Sequence, residues 1–350
     1  MSPPIDPHMT PDSFFHTLSA KKPSSSSPVL IYFISGNPGL ISYYYPFFTH
    51  LIEKLKPLVS EHNGNPTIHL HGHSLAGFEV SASGDSASAA EPYYHDLEDQ
   101  IRFVQHKLDE CVTGIANAAS TPTPKPRIIL IGHSVGTYMA MELIRRHRER
   151  TSSSSTDAFP TFDIISGILL FPTVVDIAKS PSGRKLTTLL SFLPHLALIA
   201  SFFARALTTL LPGFLLRGLV ALVMGSPPQE AVDTTVAFLR SRRGVRQALH
   251  MAASEMYSIN SDEWADEVWG ISSDAGSSEA LAKLFFYYGR EDHWVAEETR
   301  EEILALRGKA TEGRGPTMVV CEEGSPHAFC LRHSEVMAAK VAEMVKEVVG

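Results

Sequence analysis

Ser134 lies in the pentapeptide GHSVG at residues 132–136, which has the G-x-S-x-G spacing typical of a serine nucleophile. The apolar run 127–131 precedes this motif, and helix-forming residues occupy 138–146. A strand that turns sharply into a helix presents the serine at the turn, and glycine is needed where neighbouring backbone leaves no room for a Cβ. The pattern therefore predicts that Ser134 attacks a substrate once a neighbouring base has accepted its proton.

A second serine, Ser74, stands in a similar sequence at residues 72–77, GHSLAG. Ala76 takes the position of the second glycine, and the residues that follow have no helical pattern. Ser74 is therefore the weaker candidate. We expect it in a loop after a strand, near the site at most.

A serine turn of this kind is followed along the chain first by an acid and then by a histidine. The segment 285–289, FFYYG, is largely aromatic and has the composition of a strand, and the acidic segment 290–292 follows it directly. A carboxylate there would stand at the carboxyl end of that strand. We predict that Asp292 is the acid, and Glu291 and Asp176 remain alternatives.

His327 follows the next predicted strand, 317–321, and so occupies the place of the general base. The chain has 16 histidines, so His327 is chosen by its position and not by its residue type. We expect most of the others, including His293 and His333, to be structural or at the surface. A serine, a histidine and an acid in this order predict hydrolysis through a covalent acyl-enzyme.

The segment 35–39, SGNPG, follows an apolar predicted strand. In folds with this serine turn, such a loop donates a backbone N–H to the oxyanion of the tetrahedral intermediate. Pro38 has no N–H, so Asn37 or Gly39 must be that donor. The residue after the nucleophile, Val135, supplies the second donor. The alternative interpretation is an ordinary Asn-Pro-Gly turn.

Short apolar stretches alternate with longer amphipathic ones between residues 29 and 172, and the alternation returns after residue 270. This order predicts an α/β fold with a mostly parallel central sheet flanked by helices. The predicted strands are 29–35, 67–70, 127–131, 164–171, 284–288 and 317–321, and the predicted helices are 93–111, 138–146, 296–307 and 335–349. We expect a core in two parts, 29–172 and 271–350, preceded by a flexible tail, 1–28.

Residues 173–270 interrupt this alternation and are predicted to form a helical cap. Between residues 186 and 224 the chain has no acid, and Arg205 and Arg217 are its only charges. Prolines break this apolar stretch, which predicts a helical hairpin. The hairpin either packs on the sheet as a buried cap or enters a lipid surface, which its length and near absence of charge favour.

The composition excludes several classes of protein. With 44% hydrophobic and 19% charged residues, the chain has the makeup of a protein with a large core and not of a disordered one. A net charge of −8 argues against nucleic acid as a partner, since binding to phosphates needs a basic face. The three cysteines lack the spacing of a disulfide framework or a structural zinc site. Hydrolysis through an acyl-enzyme implies no metal and no organic cofactor.

The chain resembles the lipid droplet-associated hydrolase family of the α/β-hydrolase superfamily. The resemblance covers about residues 29–349 and rests on several motifs besides the serine turn. They are GNPG at 36–39, YYYPFF at 43–48, GHSVGTY at 132–138, LFPT at 170–173, SPSG at 180–183, YYG at 287–289, DHW at 292–294 and PHAF at 326–329.

This resemblance implies an α/β-hydrolase fold with the helical cap inserted between the sixth and seventh strands. It implies hydrolysis of neutral-lipid esters, such as sterol esters or acylglycerols, by Ser134, His327 and Asp292. It also implies a location on lipid droplets and the endoplasmic reticulum, at the cytosolic face, with residues 186–224 against the lipid surface. Two alternatives remain: a lipid droplet interaction protein with little turnover, and a soluble esterase or thioesterase.

Overall fold

Eight strands form one sheet in the computed structural model, which describes residues 8–19, 26–60, 66–81, 93–118, 124–152, 160–193, 195–272, 281–308 and 315–350. The strands are β1 His8–Thr10, β2 Ser13–Leu18, β3 Val29–Ile34, β4 Ile68–His73, β5 Arg127–His133, β6 Asp163–Leu170, β7 Lys283–Tyr288 and β8 Thr317–Val320. Their order across the sheet is β1-β2-β4-β3-β5-β6-β7-β8. The pairs from β4 to β8 are parallel, whereas β2 runs antiparallel to β1 and β4. The predicted mostly parallel sheet is confirmed.

Helices cover both faces of this sheet. They are α1 Tyr45–Ser60, α2 Leu97–Ala118, α3 Val135–Ser152, α4 Pro181–Phe192, α5 Leu196–Leu210, α6 Gly213–Val223, α7 Gln229–Arg240, α8 Gly244–Ser258, α9 Glu297–Arg307 and α10 Ser334–Val349. The residues of β3 alternate between two apolar clusters, one with α2 and α3 and the other with α1 and α10. Because both faces are covered, β3 is apolar at every position, VLIYFI.

The N-terminal segment differs from the flexible tail predicted for residues 1–28. Residues 8–18 form β1 and β2, and β2 pairs with β4 at the edge of the parallel strands. Phe14 is fully buried, and its ring lies 4.4 Å from that of Phe48 on α1. The sequence signal of β2 is weak because its apolar and polar residues do not alternate with burial: Phe15 is exposed and His16 is buried. Residues 1–7 and 20–25 of the predicted tail lie outside the described residues.

Strand β4 extends three residues beyond its predicted end, to His73. Ile68 and Leu70 join the apolar cluster on the α1 side of the sheet. His69, His71 and His73 alternate with them and are half-buried on the opposite face. The histidines weaken the hydrophobic signal of this strand, so its second half resembles a loop in the sequence.

Helices α4 to α8 lie between β6 and β7, where the resemblance places the cap. The predicted hairpin over residues 186–224 is instead three helical pieces: the second half of α4, then α5 and α6. Pro212 directly precedes α6 and separates it from α5. None of the residues of α5 is buried, and α6 buries only Leu216 and Val220. These helices therefore do not have the buried packing that was one of the two alternatives.

Exposed apolar side chains are concentrated on these helices. Of the twenty large apolar side chains that are exposed in the described residues, thirteen lie between residues 186 and 224. The most exposed of them, which we call the apolar cap surface, are Phe192, Phe202, Phe203, Leu210, Phe214, Leu222 and Val223. Among the described helices, none is by itself both long and apolar enough for a membrane span. Helices α4 and α5, which are bent by 96° relative to each other, are together long and apolar enough, by length and composition only.

Candidate active site

Ser134 occupies the turn between β5 and α3 in a left-handed backbone conformation, with a φ of 56°. A Cβ on Gly132 would lie 2.5 Å from the carbonyl oxygen of Gly136. A Cβ on Gly136 would lie 2.4 Å from the carbonyl oxygen of Ile34. Both distances are impossible without moving backbone, so the two glycines allow the close packing that this turn requires. The Ser134 N–H donates to the carbonyl oxygen of Leu170 at 3.0 Å, which ties the turn to β6.

Three predicted residues come together in one hydrogen-bonded row. The Nε2 atom of His327 lies 2.8 Å from the Ser134 Oγ, and its Nδ1 atom lies 2.8 Å from the Asp292 Oδ2. Since an ionised carboxylate only accepts, Nδ1 donates to Asp292 and Nε2 accepts from the serine hydroxyl. Only 1% of the Asp292 side chain is exposed. The Trp294 N–H donates to its other oxygen at 2.8 Å, which fixes the carboxylate.

The alternative acids and the alternative serine lie elsewhere. Glu291 is exposed, and Asp176 accepts from the Lys179 ammonium at 2.7 Å. Ser74 is buried, and its Oγ accepts from the N–H of Ile41 at 3.2 Å, so it has a structural contact in the loop after β4. Of the candidates, Asp292 is the acid that contacts His327.

The two neighbouring histidines also have other positions. His293 is exposed, and its carbonyl oxygen accepts from the Ser182 N–H at 2.9 Å. His333 directly precedes α10, and its N–H donates to the carbonyl oxygen of Phe329 at 2.7 Å. Their backbone contacts are consistent with the structural or surface roles expected for them.

The structure distinguishes between the candidate oxyanion donors predicted from the sequence. Asn37 lines the cavity in front of Ser134. The N–H of Val135 belongs to the first turn of α3, where backbone amides have no partner within the helix. Gly39 packs against Leu75 instead: a Cβ on Gly39 would lie 2.5 Å from the Leu75 Cβ, and its carbonyl accepts from the Leu75 N–H at 2.7 Å. Asn37 is therefore the better placed of the two candidates in this loop.

A buried hydrogen-bond chain behind the site was not predicted from the sequence. The Gly36 N–H donates to the Tyr44 hydroxyl at 3.2 Å, and this hydroxyl lies 2.7 Å from the His133 Nδ1. The Nε2 atom of His133 donates to the carbonyl oxygen of His327 at 2.8 Å. Burial, aided by the His327 ring, lowers the pKa of His133 to about 3, so the ring is neutral and Tyr44 donates to it. This row of hydrogen bonds fixes the backbone of His327, and the Gly36 N–H already has the Tyr44 hydroxyl as its acceptor.

A cavity of about 430 Å³ opens in front of Ser134 and His327. The cap and the loops around the sheet supply its apolar walls, which include Ile177, Leu186, Met224, Leu249, Trp294 and Leu331. Such a cavity, apolar with a few polar groups at one point, is typical of sites that bind an apolar ligand and orient one reactive group.

Glu255 is a second feature that the sequence did not reveal, because one glutamate in an amphipathic helix carries no signal. It lies on α8, is buried in the cavity wall, and accepts from the Asn37 Nδ2 at 2.8 Å. The same Nδ2 donates to the carbonyl oxygen of Ala248 at 2.9 Å. These two bonds tie the cap to the loop after β3. Burial raises the pKa of Glu255 to about 7, against the opposing effect of the Asn37 hydrogen bond.

This pKa predicts how the stability of the protein depends on pH. The folded state holds the Glu255 proton up to about pH 7, whereas an unfolded glutamate loses it near 4.5, so Glu255 contributes a loss of stability as pH rises between these values. Glu255→Gln removes this loss and keeps an oxygen that accepts from Asn37. When the pH rises from 4.5 to 8, the unfolding free energy of the variant should therefore increase by about 3 kcal/mol relative to that of the wild type.

Urea unfolding at both pH values measures this difference. Glu335→Gln, on the exposed side of α10, is the matched control and should track the wild type. An equal gain in both variants, or no gain in Glu255→Gln, would show that Glu255 is not the buried titrating group.

Comparison with known proteins identifies the family. A family model described as "Lipid-droplet associated hydrolase" matches residues 27–330. The chain belongs to this family. Its curated relatives include the lipid droplet-associated hydrolases of Homo sapiens, 26% identical over 338 residues, and Gallus gallus, 27% identical over 341 residues. The alignments cover 95% and 94% of this chain, respectively, and 88% of each relative.

Solved structures show the fold of this lipid droplet-associated hydrolase family member. The peroxisomal α/β-hydrolase Lpx1 of Saccharomyces cerevisiae is similar with a TM-score of 0.55 and 12% identity, over 97% of this chain and 90% of that chain. The haloalkane dehalogenase DbeA of Bradyrhizobium elkani is similar with a TM-score of 0.53 and 13% identity, over 96% and 94%. The protein is therefore a hydrolase with an α/β-hydrolase fold, as the resemblance implied.

Proposed function

We propose that this hydrolase cleaves carboxylic esters of neutral lipids, such as sterol esters or acylglycerols, with Ser134, His327 and Asp292 as its catalytic residues. The observation that supports this most strongly is the hydrogen-bonded row of these residues, two of which, Ser134 and His327, line an apolar cavity. An ester with a long acyl chain fits both features, since the acyl chain can bind the apolar wall and the ester carbonyl can be attacked by the serine.

The mechanism follows from the direction of the hydrogen bonds. Ser134 Oγ attacks the ester carbonyl carbon while its proton passes to the His327 Nε2, and Asp292 stabilises the resulting imidazolium. The backbone amides of Asn37 and Val135 donate to the oxyanion. The C–O bond to the alcohol then breaks, and the alcohol leaves with the proton from His327. Water, deprotonated by His327, attacks the acyl-serine, and the carboxylic acid is released from Ser134.

We also propose that the apolar cap surface binds the lipid droplet and the cytosolic face of the endoplasmic reticulum. Exposed phenylalanine and leucine side chains over three consecutive helices would be unfavourable in water. A lipid monolayer covers them without requiring a protein partner. Lipid droplet association is what the names of the curated relatives say of those proteins, and the endoplasmic reticulum follows from the resemblance.

This function predicts a dependence of rate on acyl-chain length. Burial of each CH₂ group contributes roughly 0.8 kcal/mol, so each two-carbon extension should raise kcat/KM about tenfold until the cavity is filled. Hydrolysis of p-nitrophenyl esters of increasing chain length measures this, with emulsified triacylglycerol and cholesteryl ester as the physiological classes. Equal rates across chain lengths would contradict a lipid-ester substrate.

The exposed cap helices favour one other function, a lipid droplet interaction protein with little turnover. Fluorophosphonate labelling of Ser134 together with the hydrolysis assays distinguishes the two functions. A labelled serine with turnover of lipid esters supports the enzyme. A labelled serine without turnover of any ester supports the interaction protein, and turnover confined to short soluble esters supports a soluble esterase.

A further inference from the structure

Three side chains of residue types that can bind a metal lie together on the face of the sheet that α2 covers. His71 and His73 project from the same face of β4, and Cys111 projects from α2. One ligand atom from each of them lies within 4.8 Å of the others. A His-x-His pair on one strand with a third donor from a packed helix is a compact donor set on rigid elements.

In the absence of a metal, burial keeps all three side chains uncharged. Burial, followed by the neighbouring His73, lowers the pKa of His71 to about 3, and burial also lowers that of His73. Both imidazoles are therefore neutral at physiological pH and keep a lone pair for a metal. Burial raises the pKa of the Cys111 thiol to about 12, so it is a thiol until a cation lowers that value.

The ligand atoms lie within 4.8 Å of one another, and a bound ion would draw them closer together. The Cys111 Sγ lies 3.3 and 3.5 Å from the two ring nitrogens of His71, and the rings of His71 and His73 are 4.5 Å apart between centroids. Tetrahedral zinc with bonds of about 2.0 Å to nitrogen and 2.3 Å to sulfur sets its donors roughly 3.3–3.6 Å apart. Because the sulfur is nearly equidistant from both nitrogens of His71, binding would require that ring to turn so that one nitrogen points at the shared ion.

The charges around the cluster allow a cation. Lys107 is the nearby positive group, and its ammonium is paired with the Glu110 carboxylate at 2.8 Å. The ring of His73 also makes a hydrogen bond to the backbone of Asp12. Metal-binding histidines commonly use their second nitrogen in this way, which orients the ring.

We propose that His71, His73 and Cys111 bind a Zn²⁺ ion, with water as the fourth ligand. Binding forms two Zn–N bonds and one Zn–S bond, and the thiol proton passes to the solvent. The three side chains are half-buried, so water and the ion have access to them. None of them lines the cavity at Ser134. The ion would therefore cross-link β4 to α2 and stabilise the fold, without a part in ester hydrolysis.

Cobalt substitution tests this site in the reduced full-length protein, purified without a histidine tag. Titration with Co²⁺ should produce the near-ultraviolet charge-transfer band of a thiolate–cobalt bond, at one ion per chain, and Zn²⁺ should displace it. Zn²⁺ should also raise the Tm, because it binds the folded state. Cys111→Ser and His73→Gln should lose both effects.

Two control variants leave the three donors intact. Cys321→Ser removes another thiol, and His69→Gln removes the next histidine on the same strand face, which contacts Thr17. Both should keep the cobalt band and the rise in Tm. The proposal is overturned if the wild type shows no thiolate band, or if Cys111→Ser keeps the band. It is also overturned if the band is lost in Cys321→Ser instead.

Discussion

Ser134→Ala is expected to lower ester hydrolysis by at least about 10⁴-fold while the Tm stays within a few degrees of the wild type. The substitution removes the only atom that forms the acyl-enzyme bond, and alanine leaves the backbone of the turn with a similar side-chain volume. His327→Ala should cause a fall of the same order, because the serine without its base is not activated. Initial rates on a short p-nitrophenyl ester and thermal unfolding measure both effects.

Ser74→Ala is the matched control for this prediction. It changes a serine in the similar GHSLAG sequence, whose hydroxyl accepts from the Ile41 amide and not from a histidine of the site. Fluorophosphonate labelling should be lost in Ser134→Ala and retained in Ser74→Ala. The opposite pattern would show that the nucleophile has been assigned to the wrong serine.

Paired acidic substitutions on the apolar cap surface are expected to detach the protein from lipid. Phe202 and Phe214 are 68% and 73% exposed, so Phe202→Asp with Phe214→Asp replaces two accessible anchors. Burial of each phenylalanine in lipid contributes about 1.5–3 kcal/mol, and their joint loss should weaken binding at least about 100-fold. Flotation with phospholipid-coated triacylglycerol droplets measures the bound fraction. Labelling of Ser134 should continue, since neither side chain lines the cavity.

Leu306→Asp provides the control for this second prediction. Leu306 lies on α9 and is 76% exposed, so this single substitution also removes exposed apolar area and adds a negative charge, but outside the cap. Droplet binding should be unaffected in this variant. If the double cap variant floats with the droplets as the wild type does, or if Leu306→Asp detaches equally, the cap is not the lipid-binding surface.

Local sequence patterns were sufficient for most of the parallel part of the sheet and for the order of the candidate site residues. The turn at Ser134 is specified by residues within a few positions of it, because the glycines that allow the close approach are its own neighbours. Asp292 and His327 were found by their order, since the carboxyl ends of parallel strands meet at one edge of a sheet. Their hydrogen bonds agree with that order. Their catalytic role is a proposal that the activity assays on the Ser134→Ala and His327→Ala variants address.

Local patterns failed where an element depends on a partner distant in the chain. Strand β2 has no clean hydrophobic alternation, since Phe15 is exposed and His16 is buried, and it is stabilised by pairing with β4. The segment predicted as a cap hairpin forms three helical pieces with exposed apolar side chains. Hydrophobicity alone does not distinguish a buried helix from one with an exposed apolar face.

The sequence by itself determined the α/β class, the turn at Ser134 and the order of the candidate site residues, because each is encoded in contiguous or regularly spaced positions. Only the tertiary structure decided which polar groups meet. Glu255 contacts Asn37, and His71 and His73 lie close to Cys111. These contacts join residues far apart in the chain whose types are common elsewhere in it. Such meetings follow from the packing of α8 and α2 on the sheet, and packing depends on the whole core and not on any local pattern.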